Sequence, residues 1–257
     1  MTRDRARAFI NLKYAEPRSL LLELRRIERS LPSGVAPEVR HLRTNKLKPL
    51  RELREAAHFC YGWEQIDGQA LGVAHVEAQD YDAVATWPSD GERHFAPIQI
   101  KEVVPEDLNP NVTVQDVIND LQKYIDSEDL TVVIHLNRTV RGFAPLQLVI
   151  PPLKIAAFWI LAALTADQSR WILWGNFLET IRWGEFSYPE AAGPATLARE
   201  VHAPRLRCAD PADLGARKSV WPVRPRHEYA IGVGVIQMAP GDTTVGCTPN
   251  RRADRFF

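Results

Sequence analysis

Residues 77–101 read EAQDYDAVATWPSDGERHFAPIQIK. Two apolar-rich runs lie on either side of Ser89-Asp90-Gly91. An Asp-Gly step favours a tight reversal, so the spacing predicts two strands folded back on each other. Side chains alternate along a strand, so Asp82, Val84 and Thr86 share one face of the first. On the second strand Gln99 and Lys101 share a face, while Ile98 and Ile100 point the other way. Pairing the strands then brings Asp82 close to Gln99 and Lys101. A carboxylate, an amide carbonyl and an ammonium so placed suit a hard divalent cation beside a phosphodiester.

The elements around this pair run helix, strand, strand bearing Gln99 and Lys101, helix, strand. That order, with Asp82, Gln99 and Lys101, resembles the PD-(D/E)xK nuclease superfamily in a variant whose middle acid is glutamine. The resemblance covers roughly residues 50–137. It implies an α/β fold, a restriction-endonuclease-like mixed central sheet flanked by helices. It also implies metal-dependent hydrolysis of nucleic acid, with DNA the expected form and Mg2+ or Mn2+ the expected cofactor. Asp82 would be the indispensable ligand and Gln99 a neutral second one. A neutral carbonyl binds a cation less tightly than a carboxylate, so a third acid is needed. The superfamily often supplies one from the preceding helix, which points to Glu55, with Glu64 close behind. Glu77 and Asp80 flank the loop into the Asp82 strand and are the next candidates. Lys101 would orient the attacking water or stabilise charge on the phosphate.

A chain of 257 residues with 45% apolar composition suits one large domain or two small ones. Its zero net charge hides a segregation. Residues 1–54 carry 14 basic and 6 acidic side chains, residues 55–137 carry 3 and 16, and residues 138–257 carry 15 and 10. An acidic middle between basic ends fits a cation site flanked by phosphate-contacting arms, or parts of opposite charge docked together. Arg40, Arg43, Lys46 and Lys48 are the candidate nucleic-acid contacts, in a stretch that reads equally as a surface loop. Cys60, Cys208 and Cys247 form no CxxC pair, which argues against a zinc site and a disulfide framework. The first residues lack the apolar run of a signal peptide, and Ile155–Leu164 is about half a membrane span. The expectation is a protein of a reducing compartment, the cytoplasm.

Pro17 opens an amphipathic helix, with Leu20, Leu21, Leu24, Ile27 and Leu31 on one side and Arg25, Arg26 and Arg29 opposite. Pro49 opens a second, with Gly62 as its predicted stop. Residues 69–77 alternate as a strand. Thr113 caps a predicted helix reaching about Ser127, and the β-branched run LTVVIHL reads as an interior strand. His135 in that run reads as a core histidine. LQLVI at 146–150 reads as a strand, residues 153–165 as an apolar helix, and Trp171–Trp174 as a short strand or helix segment. Trp159, Trp171, Trp174 and Trp183 read as core or dimer contacts, so a homodimer is an open expectation. From Ser187 proline and arginine rise and periodicity fades, which predicts poor order, apart from one strand at 229–238 and a basic tail. The expected divisions are a basic helical region at 1–48, a nuclease-like core at 49–186 and a Pro/Arg-rich extension at 187–257. Two other readings compete. One is a non-catalytic nucleic-acid-binding or protein-interaction module on the same fold. The other is an unrelated domain whose acidic middle is only surface.

Overall fold

The computed structural model describes residues 3–190, apart from 33, 37, 38, 40, 41, 43, 77–79, 139, 141 and 142. The expected strand at 229–238 and the basic tail lie outside the described residues. Four α-helices are described: α1 (Arg3–Ile10), α2 (Pro17–Ser30), α3 (Lys48–Asp67) and α4 (Val114–Asp120). Seven strands, β1 (Gly72–His75), β2 (Ala83–Ser89), β3 (Glu92–Val103), β4 (Ser127–Leu136), β5 (Ile155–Ala163), β6 (Arg170–Gly175) and β7 (Arg182–Ser187), form one mixed sheet in chain order. β4 runs parallel to both β3 and β5, and every other neighbouring pair is antiparallel. The fold is therefore α/β with a mixed sheet, as the sequence implies. No described helix is long and apolar enough to cross a membrane.

The hairpin forms as the sequence dictates. Ser89 pairs with Glu92, and Asp90 and Gly91 take positive φ of 52° and 78°, the geometry an Asp-Gly reversal supplies. Pro97 cannot donate to a ladder, and it sits in the part of β3 that pairs only with β2. The β3–β4 ladder starts one residue later, at Ile98–Thr131.

The sheet has an apolar cluster on each face. Ala83, Ala85, Ile98, Ile100, Val133, Trp159 and Trp171 meet Leu21 of α2 and Phe59, Cys60 and Trp63 of α3. Val103, Val132, Ile134, Phe158 and Ile160 meet Val114 and Ile118 of α4 on the other side. Each fully buried large side chain contributes about 1.5–3 kcal/mol. The link between α1 and α2 covers the free edge of the sheet, with Ala15 and Val73 exchanging two 2.9 Å backbone hydrogen bonds.

Four expectations need correction. Residues 153–165 are not a helix; β5 fills them. An unbroken apolar run carries no period, and β5 is buried on both faces with Trp159 and Leu161 one way and Phe158 and Ile160 the other. Residues 146–150 are not a strand: Leu146 and Val149 are 80% and 71% exposed and belong to a connecting segment. Gly62 does not stop α3, which runs on to Asp67 and ends at Gly68 with φ 70°. Gly62 instead lets Phe186 of β7 approach, since a Cβ there would lie 2.5 Å from its ring. The helix capped by Thr113 ends at Asp120 and passes into a short 3-10 turn, because β4 already begins at Ser127. Tyr188 packs into the first cluster and donates to Leu21 O at 2.6 Å, and burial pushes its pKa up to about 12.

Candidate functional site

Asp82 immediately precedes β2, and its amide donates to Ile98 O at 2.8 Å. This fixes it against β3. Its Oδ2 accepts the Ile100 amide at 2.7 Å and Gln99 Nε2 at 2.5 Å. Alternation places Gln99 and Lys101 on the α4 face of the sheet, opposite Ile98 and Ile100. The Lys101 ammonium stands 5.7 Å from the centre of the Tyr124 ring, a cation–π contact. Burial raises the Asp82 pKa above the usual carboxylate range. The Ile100 N–H, Lys101 and Lys48 oppose that shift, and Glu52 adds to it. The charges of Lys101, Lys48 and Glu52 thus all act on Asp82, the last two from the start of α3. Those two side chains pair at 3.2 Å. Lys46 and Lys48 are exposed.

Glu55 is not part of this group. It is turned to the opposite face of the sheet, where its Oε1 lies 3.1 Å from His135 Nδ1. The reason is helical geometry: Glu55 sits on the apolar stripe of α3 beside Ala56 and Phe59 and is only 2% exposed. His135 is 3% exposed, and the parallel register pairs it with Glu102. The Glu102 carboxylate accepts Asn137 Nδ2 at 2.8 Å and has Arg51 at 3.8 Å. One ligand atom from each of Glu55, Glu102 and His135 falls within 4.8 Å of the others. Glu55 Oε1 and His135 Nδ1 are close but not aligned as a hydrogen bond, and neither finds another partner. A buried polar atom left this way costs about 1–3 kcal/mol.

Glu64 serves the fold rather than the Asp82 group. Its carboxylate accepts the Leu71 amide at 2.7 Å at the entry to β1. Burial, with Glu16 nearby, raises its pKa to about 7 despite that hydrogen bond. Asp80 is exposed in the loop before β2. Glu77, Arg40 and Arg43 lie outside the described residues. Among the tryptophans, Trp159 and Trp171 are core, and Trp183 is exposed on β7.

Sequence reasoning missed Glu52 and Glu102. Glu52 lies one helical turn before Glu55, so the periodicity of α3 carried a signal for it. Glu102 follows Lys101 directly but points to the other face. Its value emerges only from the register with His135. Comparison with known proteins finds no matching family model, no matching curated protein and no matching solved structure.

Proposed function

We propose that the chain is a divalent-cation-dependent nuclease with Asp82, Gln99 and Lys101 at its centre. The observation that carries this reading is the contact of the Gln99 amide with the Asp82 carboxylate, with Lys101 in the same electrostatic neighbourhood. Helix, three-strand meander, helix and parallel strand surround them, one strand more than the order the resemblance implies.

The residues present fit such a cation. Asp82 offers a carboxylate, and turning the Gln99 amide end for end exchanges its N–H for a carbonyl oxygen. Glu52, whose charge acts on Asp82, is the candidate for a further acid in place of Glu55. A magnesium or manganese ion held there supplies an acidified water and charge neutralisation at the phosphate. Lys101 would stabilise charge on the phosphate oxygens. Exposed Lys46 and Lys48 give the backbone of a nucleic acid a basic approach.

A second reading is favoured by one observation. Asp82 Oδ2 is already satisfied by two protein donors, which a non-catalytic nucleic-acid-binding module would keep. The test is cleavage of single- and double-stranded DNA and RNA with Mg2+ or Mn2+. Wild type is expected to cut, and Lys101→Ala and Asp82→Ala to lose about 100-fold or more while still folded. Cleavage unchanged in Lys101→Ala removes its catalytic assignment. Binding without cleavage in wild type selects the second reading.

A further inference from the structure

We propose that Glu55, Glu102 and His135 form a second cation site, selective for zinc-type ions over magnesium, on the α3 face of the sheet. This site shares no residue with the Asp82 group and does not depend on the nuclease reading.

Three observations carry it. The ligand atoms converge from three separate elements, α3, β3 and β4, and all lie within 4.8 Å of one another. Two of them, Glu55 Oε1 and His135 Nδ1, are buried from water and have no hydrogen-bond partner. They are 3.1 Å apart without hydrogen-bond alignment, and a cation between them would occupy both. The third ligand is already oriented. Asn137 Nδ2 holds one oxygen of Glu102 at 2.8 Å, the kind of outer contact that fixes a ligating carboxylate.

The donor set names the class of ion. One imidazole nitrogen and two carboxylates make three protein ligands, which leaves the fourth position of a tetrahedral zinc for water or a small anion. Magnesium prefers oxygen alone and keeps several waters, so a buried site with an imidazole nitrogen disfavours it. Aromatic side chains lie beside the histidine. The His135 ring centre is 5.7 Å from that of Trp171, and Phe59 belongs to the same cluster. The basic neighbours are committed elsewhere or to the site itself. Arg54 pairs with Glu28 at 2.6 Å, and Arg51 faces Glu102.

The test is calorimetric titration of chelator-treated full-length protein with Zn2+ and with Mg2+, alongside the visible spectrum after Co2+ addition. Wild type is expected to bind one Zn2+ at least about 100-fold more tightly than Mg2+, and Co2+ to give nitrogen- and oxygen-ligated bands. Glu55→Gln and His135→Gln should each weaken Zn2+ about 100-fold, whereas Asp82→Ala and Lys101→Ala should leave it unchanged. The last pair separates this site from the nuclease proposal. If a buried variant unfolds, Glu102→Gln and the Nδ1 chemical shift of His135 in wild type with and without Zn2+ give the answer. No saturable Zn2+ binding, or an unmoved Nδ1 resonance, overturns the site and leaves a buried Glu–His pair.

Discussion

Replacing Gln99 by glutamate tests the central contact from both directions. In wild type the Gln99 amide donates to Asp82 Oδ2 at 2.5 Å. Gln99→Glu removes that donor, worth about 1 kcal/mol, and sets a second carboxylate against the first. Two unit charges about 4 Å apart repel by about 4 kcal/mol at an effective dielectric of 20. That figure is a ceiling, because the pair takes up a proton when protonation costs less. Asp82 is already biased toward its neutral form by burial. We therefore expect Gln99→Glu to lose about 2–3 kcal/mol in chelator at pH 7.5. The sign follows from linkage: an acid pair whose folded pKa is raised stabilises below its unfolded pKa and loses that stability as pH rises through the folded value. Most of the loss should therefore vanish near pH 4. Mg2+ or Mn2+ at about 100 times its dissociation constant should restore about 2.7 kcal/mol at pH 7.5, since two carboxylates then share a cation. Urea unfolding followed by circular dichroism reads all three conditions. A variant as stable as wild type in chelator, with no response to metal, would refute the adjacency and the cation site together.

Gly62→Ala should destabilise by about 1 kcal/mol, because crowding Phe186 costs about 1–3 kcal/mol and outweighs the roughly 1 kcal/mol gained in helix propensity. Adding Phe186→Leu should recover part of that loss in urea unfolding; a more stable Gly62→Ala single variant contradicts the packing. Glu64, held near pKa 7 when folded against an ordinary value of 4.5, stabilises below about pH 4.5 and loses this contribution as pH rises to about 7. Thermal unfolding should show wild type losing about 1–2 kcal/mol over that window, after solvent screening, relative to Glu64→Gln. Parallel profiles for the two proteins would deny the shift. His58 has the opposite sign. Burial holds its pKa well below the usual histidine range, so its contribution is present above about pH 6.5 and lost as pH falls. His58→Phe, which can keep the stack on Trp171 at 4.2 Å, should flatten the acid side of the stability curve, and an unchanged acid side would contradict this.

Local chemistry made the hairpin legible, and with it half of the candidate site. The Asp-Gly reversal set the register, and period-two alternation then placed Asp82 against Gln99. Lys101 followed from the same parity. The candidate for a third acid was not legible, because a helix stripe says which residues are buried but not which sheet face they reach. Glu55 points to His135, while Glu52 joins the Asp82 neighbourhood. The pairing of Glu102 with His135 depends on a parallel register between strands separated by α4, which no local signal encodes. β5 was misread because Ile155–Leu164 is apolar throughout, and only its position between β4 and β6 decides for a strand. Residues 146–150 show the converse: a β-like composition left in a connecting segment once all sheet positions beside β5 were taken.

The most direct measurement is the nitrogen–proton NMR spectrum of the protein during Mn2+ titration. A cation at Asp82 must broaden the Ile100 backbone amide and the Gln99 side-chain NH2 first, and Asp82→Ala must abolish that broadening. Broadening confined to the surroundings of His135, or none at all, would contradict a cation site at Asp82, Gln99 and Lys101.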